Sequence, residues 1–399
     1  MRPGILIQHA KLPDRSSEVV RCDIAGVLAF IPEQQWPEDA SAGDFVEIVM
    51  RREADLWEHP YRDLVHPSAR RAVKHFFENG GDQAHLFVVC IHSDDDLRAP
   101  LGTMSVLEPL MAHLRAEDDI ALLLVPQAAY MRCEVGRDGS VNSDAESIYD
   151  ALLAHCREMS NRFLIMDAPR GLHGELLVRW VTRFRHRFTE NRSFGAIYYP
   201  WLMRGDDLFP PSGAMAGVFA RTELEHRPFG VVWAPANVTV QGVTHTEVEL
   251  DWAEAGALSE QHINPIVIQP NRGIVVFGAR TLSSDQAFMH INSRRITNMV
   301  AEQLRRDNEW AVFETNNQNL WAVLQRDVRF RLSQFWSAGL LGGTKDGSEY
   351  NVKCDAEINP PATRDAGHVN VEVLIRPMGT TEQIRIDLRI GGEAVVSEL

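Results

Sequence analysis

The chain has 399 residues, 45% hydrophobic and 24% charged, with 40 basic and 55 acidic side chains and a formal charge of -15. That length gives room for two or three domains. The acidic balance argues against a nucleic-acid binder, whose footprint is basic.

In chain order, HPSARRAVKHFFENGG (66–81) predicts a helix closed by Gly80 and Gly81, followed by the strand HLFVVCI (85–91). IALLLVP (120–126) predicts a buried strand stopped by Pro126. SIYDALLAHCREMSNR (147–162) puts Ile148, Leu152 and Cys156 on one helical face, and FLIMDAP (163–169) reads as the next strand. SFGAIYYPWL (193–202) and RGIVVFGAR (272–280) continue the strand theme. Strands alternating with helices at this spacing predict an α/β domain with a mostly parallel sheet.

After about residue 280 the pattern changes. A helix is expected from near Ser284, carrying Phe288, Ile291, Ile296, Met299 and Leu304. The next one places Leu320, Leu324, Val328, Leu332 and Phe335 at helical spacing and stops at Gly339. VNVEVLIRP (369–377) and IRIDLRI (384–390) predict strands. In the second, Ile384, Ile386, Leu388 and Ile390 alternate with Arg385, Asp387 and Arg389, an amphipathic ribbon that needs another strand to pair with.

Five cysteines at wide spacing, none in a C-x-x-C pair, argue against a disulfide framework or a zinc site and for a reducing compartment. The opening MRPGILIQHAKLPD lacks the apolar core of a secretory signal, and the longest apolar runs are too short to span a bilayer. A cytosolic product without membrane insertion is expected, so the sequons at Asn191 and Asn237 carry no meaning. The 15 histidines include no H-E-x-x-H pair, and no metal or cofactor is expected.

The stretch PPSGAMAGVFARTE (210–223) invites three readings. A phosphate loop needs a lysine that is missing here, and in GLLGGTKDG (339–347) Thr344 precedes Lys345, the wrong order. A serine nucleophile is conceivable, because Asp167, His173 and Ser212 fall in the order Asp, His, Ser. The plainer reading is that Ser212 N-caps a helix, with Gly213, Ala214, Ala216 and Gly217 letting it lie close against the sheet. The arginines of ELLVRWVTRFRHRFTENR (175–192) read as a solvated or partner-facing surface.

Taken together, the motifs resemble those of contractile tail sheath proteins, from phage tails and phage-tail-like injection systems. The resemblance rests on FFENGG (76–81), DDIALLLVP (118–126), IYDALLAHC (148–156), AIYYPWL (196–202), PPSGAMAGVFART (210–222), VWAPAN (232–237) and FGARTLSSD (277–285). It continues through VFETNNQNLW (312–321), FWSAGLLGG (335–343), KCDAEINPP (353–361) and DAGHVNVEVLIRP (365–377). Residues 31–60 depart from the family pattern, beyond the strand-like DIAGVLAFIP.

The resemblance implies an α/β protein with a subtilisin-like, mostly parallel domain, a C-terminal α+β sheath core, and exchanged terminal strands. It divides the chain into an N-terminal arm (1–21), an outer α/β domain (22–270, with 31–60 atypical), a core domain (271–380) and a C-terminal arm (381–399). Ile5, Leu6 and Ile7 match one arm; Ile384, Ile386, Leu388 and Ile390 match the other. Pro211, Ser212, Gly213, Gly217 and Arg221 become a packing motif rather than a catalytic one. Arg326, Arg329 and Arg331 are candidates for inner-tube contact, the alternative being salt bridges within the lattice. Implied partners are further copies of the chain, sister sheath proteins, the inner tube, and baseplate and cap proteins. The particle would assemble in a bacterial cytoplasm and contract without consuming nucleotide. A position near baseplate or cap, a subtilisin-fold serine hydrolase and a non-contracting scaffold are the competing readings.

Overall fold

A computed structural model describes residues 18–36, 40–98, 100–187, 190–343, 349–391 and 396–398. The first elements are β1 (Ala25–Pro32), β2 (Phe45–Met50), α1 (Ala54–Glu58), α2 (Pro67–Glu78), β3 (Ala84–Ile91) and α3 (Pro100–Ala116). Then come β4 (Leu122–Leu124), a hairpin of β5 (Cys133–Val135) and β6 (Val141–Ser143), α4 (Glu146–Met159), β7 (Phe163–Asp167), α5 (Gly174–Arg187) and β8 (Gly195–Tyr199). β9 (Leu202–Arg204), β10 (Asp207–Phe209), α6 (Ser212–Glu225), β11 (His245–Thr246), α7 (Trp252–Glu260), β12 (Ile263–Gln269) and β13 (Gly273–Val276) follow. The C-terminal part holds α8 (Ile291–Asp307), α9 (Gln318–Ser337), β14 (Tyr350–Lys353), α10 (Pro361–Asp365), β15 (Val369–Ile375), β16 (Ile384–Ile390) and β17 (Val396–Glu398).

The large sheet runs β13-β12-β8-β7-β4-β1-β3-β2. Its six inner strands are parallel, and both edge strands, β13 and β2, are antiparallel. Inner strands read as continuous apolar runs because both faces are covered. Alternate residues serve alternate layers: Leu28 and Phe30 face α3, α4 and α5, whereas Val27, Ala29 and Ile31 face α2 and α6. A third core joins α8 and α9 to the sheet β14-β15-β16-β17, with Val20 and Cys22 included.

Two expectations need correction. RGIVVFGAR does not extend the parallel series; β13 folds back antiparallel on β12, so the α/β sheet runs beyond residue 270. The helix expected near Ser284 begins only at Ile291. Residues 281–287 form successive side-chain turns: Thr281 Oγ1 accepts from Ser283 N, Ser283 Oγ from Asp285 N, and Asp285 Oδ1 from Ala287 N. Such local bonds compete with the helical ladder.

Candidate functional site

The prolines before Ser212 set up its helix. Pro211 already has helical dihedrals (φ -74, ψ -16), so Ser212 is the first residue of α6 and not its N-cap. Proline is suited to such a start because its φ is fixed and it has no N–H to satisfy. The cap comes from a distant element instead: Asp167 Oδ1, at the end of β7, accepts the Ser212 N–H at 2.7 Å. Asp167 is 1% exposed and Ser212 0%. Burial pushes the Asp167 carboxyl up to about 7, against the opposing pull of Ser212.

The structure therefore joins Asp167 to Ser212 but leaves His173 out. The His173 ring instead meets Tyr199 Oη at 3.1 Å and Glu247 at 3.8 Å. Among the described residues no hydrogen bond links it to Asp167 or Ser212, as a nucleophilic triad requires. The small residues of α6 face a helix as well as the sheet. A Cβ on Gly213 would stand 2.4 Å from Ala72 Cα, and one on Gly217 would stand 2.4 Å from Phe76 O, so α6 crosses α2 where only glycine fits. Arg221 closes the contact by donating to Thr239 O at 2.6 Å, and Pro211 is buried.

At the C-terminal end, β16 pairs along its whole length with β15, from Ile384↔Ile375 to Ile390↔Val369. Its other side takes β17 at three positions. Ile384, Ile386, Leu388 and Ile390 are buried in the third core. Within the chain, then, these four residues form an inner strand rather than a free arm, since a seven-residue ladder and four buried aliphatic side chains hold them. The segment at the sheet's edge is 396–398. Ile5, Leu6 and Ile7 lie outside the described residues.

Residues 135–282 match the model of the phage tail sheath protein central domain, and residues 283–391 match that of the phage tail sheath C-terminal domain. The chain belongs to the phage tail sheath family. It is 27% identical to the tail sheath protein of Vibrio phage KVP40 over 172 residues, 42% of this chain and 24% of that protein. Identity is also 27% with the tail sheath protein of Enterobacteria phage T4 over 183 residues, 45% of this chain and 26% of that one. The chain thus spans about a quarter of the length of each of these curated relatives. Among solved structures it resembles a chain of the anti-feeding prophage baseplate (24% identity, TM-score 0.66, 96% of this chain and 97% of that one). It also resembles the sheath complex of an extracellular contractile injection system, PVC, in its contracted state (24%, 0.67, 95% and 94%). A sheath tail protein from Listeria innocua shares the fold at 9% identity (TM-score 0.61, 94% and 96%).

For a sheath-family chain, the positions of the three α9 arginines matter. Arg326 is 67% exposed and pairs with its neighbour Asp327. Arg329 donates to Val352 O at 3.2 Å. Arg331 is 12% exposed and paired with Asp307 of α8 at 2.5 Å. They do not form one patch: Arg331 is held inside the subunit, which removes it from the tube-contact candidates.

Sequence reasoning missed two further features of this sheath-family chain. The segment entering β1 is clamped on α8: Gln303 Oε1 accepts from Val20 N at 2.8 Å, Gln303 Nε2 donates to Glu18 O at 3.3 Å, and Arg295 donates to Cys22 O at 2.7 Å. A charged seam also ties α8 to the loop after α3, with Arg305 on Asp118, Arg306 on Asp119, and buried Glu302 bound to both arginines. Beneath the seam the fully buried Arg162 guanidinium donates to the carbonyls of Leu114, Glu117 and Ile120. Apart from the Glu302 pairs within α8, these contacts join residues far apart in sequence, so no motif announces them. Among the described residues no His, Cys, Asp and Glu cluster could hold a metal ion, and no helix is long and apolar enough to cross a membrane.

Proposed function

We propose that the chain is a contractile sheath subunit that polymerises helically around an inner tube and shortens to drive that tube through a target envelope. The observation that carries this reading is the C-terminal sheet. It ends on β17, a three-residue edge strand, in a chain that resembles a contracted sheath over 95% of its length. A short edge strand exchanges readily between copies, because its backbone groups find equivalent partners in a neighbour's sheet. At about 0.5–1.5 kcal/mol net per hydrogen bond, such an arm contributes only a few kcal/mol, so subunits stay linked yet can rotate. Contacts that do not close a ring generate a helical filament.

On this reading the α/β unit is subtilisin-like in fold and structural in role. Residues 1–21, anchored on α8 of their own subunit from Glu18 onward, and the chain after β16 act as the exchanged arms. Sister sheath proteins, the inner tube, baseplate and cap are partners, and assembly takes place in the bacterial cytoplasm. A place beside the baseplate is a second reading, favoured by the likeness to a chain of the anti-feeding prophage baseplate.

Negative-stain electron microscopy of the purified chain, intact and lacking residues 396–399, tests the proposal. Striated hollow tubes from the intact chain, absent from the truncation, support it. Small discrete particles from both, even with tube protein added, sink it. The truncation spares 384–390, whose loss would remove a core strand.

A further inference from the structure

The two edges of the C-terminal sheet are unequal. Among the described residues β14 forms one edge and pairs only with β15, from Tyr350↔Ile375 to Lys353↔Glu372. Arg376 N donates to Glu349 O at 3.1 Å, which makes that opposed pair a hydrogen-bonded one. Antiparallel pairs alternate, so the backbone N–H and C=O of Tyr350 and Val352 point away from β15, to the free side. A row of such groups is a template for an incoming strand.

At Val352 that template is occupied. Its carbonyl oxygen accepts from Gln325 Nε2 at 2.9 Å and from Arg329 Nη2 at 3.2 Å. The two donors are four residues apart on α9, on one helical face. A carbonyl oxygen has two lone pairs, and both are taken. Val352 cannot turn away from them, because its side chain is 1% exposed in the third core. At the opposite edge, among the described residues, β17 pairs with Ile386, Asp387 and Leu388 of β16.

We infer that Gln325 and Arg329 guard the β14 edge, closing it to strands of other copies and confining strand exchange to the β16 side. The inference rests on the strand-exchange reading above and names the residues that give it direction. A helical filament needs one donor edge and one acceptor edge per contact. Two open edges in one sheet would let a neighbour's strand add on the wrong side and branch or bundle the polymer. An incoming strand at β14 has to displace two donors from Val352, one of them charged, before it can pair.

The test compares the intact chain with the Gln325→Ala/Arg329→Ala variant, each with and without residues 396–399, by pelleting and negative-stain microscopy. The guard predicts that the double variant associates at about a tenfold lower concentration, the change given by roughly one net hydrogen bond per protomer. It also predicts irregular bundles in place of single tubes, persisting when 396–399 are removed. If the double variant matches the intact chain in threshold and lattice, the guard is overturned. If tubes of the unsubstituted chain survive the truncation, exchange through β17 fails instead, whatever the variant does. Should the double substitution unfold the protein, Gln325→Ala alone carries the comparison, since it leaves Arg329 in place and opens one lone pair.

Discussion

The Asp167 carboxylate and the Ser212 amide meet at 2.7 Å across 45 residues of sequence, the end of β7 capping the start of α6. The contact puts an ionisable group in the middle of the α/β domain and so makes stability depend on pH. Burial raises the folded pKa to about 7 from the ordinary 3.8, so the folded state holds its proton more tightly than the unfolded chain. The associated stability is present below about pH 4 and lost as pH rises through 7, with an upper bound of about 4 kcal/mol. Asp167→Asn should flatten this slope and leave the variant the more stable protein at pH 8. Urea titrations at pH 5 and pH 8 check it; equal slopes in both proteins dismiss the idea.

His155 works in the other direction. Its ring is buried and accepts from Arg162, and burial lowers its pKa to about 3 from 6.5. A neutral buried imidazole stabilises the fold above pH 6.5, and the contribution disappears as pH falls towards 3. His155→Gln should therefore reduce the acid-side loss of stability while lowering the plateau at pH 7. Thermal melts between pH 4 and pH 7 provide the comparison.

The α6–α2 crossing predicts a contrast between two glycines. Gly217→Val forces a side chain into Phe76 O and Asn79 Cβ and should cost about 3 kcal/mol or more. Gly256, in α7, has nothing within 4 Å of the position a Cβ would take, so Gly256→Ala should be neutral or stabilise by about 0.5–1 kcal/mol. Calorimetry that finds the two equivalent removes the packing account of the 210–223 motif.

The arginines of α9 separate by burial. Arg331→Glu sets a carboxylate against Asp307 and should lower stability by about 2 kcal/mol or more. Arg326→Glu, on an exposed side chain, should change it by no more than about 0.5 kcal/mol. If Arg326 faces the inner tube, its charge reversal abolishes tube-dependent assembly in a fully folded protein. Unaltered co-assembly would clear it of that role.

Gln303 makes the entry to β1 testable on its own. Gln303→Leu leaves the Val20 N–H buried without its acceptor, at a cost of about 1–3 kcal/mol. Hydrogen exchange at Val20 should speed up while the central strands keep their protection. Unchanged protection at Val20 would mean that the clamp does not hold the segment.

Much of the fold is legible in the residues themselves, for reasons specific to each element. Ile384–Ile390 was legible because one face of that strand is buried and the other is not, which writes a period of two into the residues. The inner strands β3, β4, β7 and β8 are legible as apolar runs, whereas β12, INPIVIQ, is not, because Asn264 and Pro265 interrupt its run. What stayed hidden depends on partners far away in sequence. Nothing around Ser212 says that its cap is Asp167, and nothing around Arg331 says that Asp307 claims it. The pairing of 384–390 with β15 inside the chain stays hidden for a related reason: alternation shows that a strand needs a neighbour, not whose chain supplies it.

The seam between α8 and the loop after α3 bears on how such a subunit behaves under load. Arg305, Arg306 and Glu302 lock the C-terminal unit to the α/β unit through Asp118 and Asp119, with Arg162 filling the joint from inside. A body joined in this way passes torque along like the tooth of a gear, without bending in the middle. In the proposed sheath, shortening becomes a change of angle between such bodies rather than a deformation within each one.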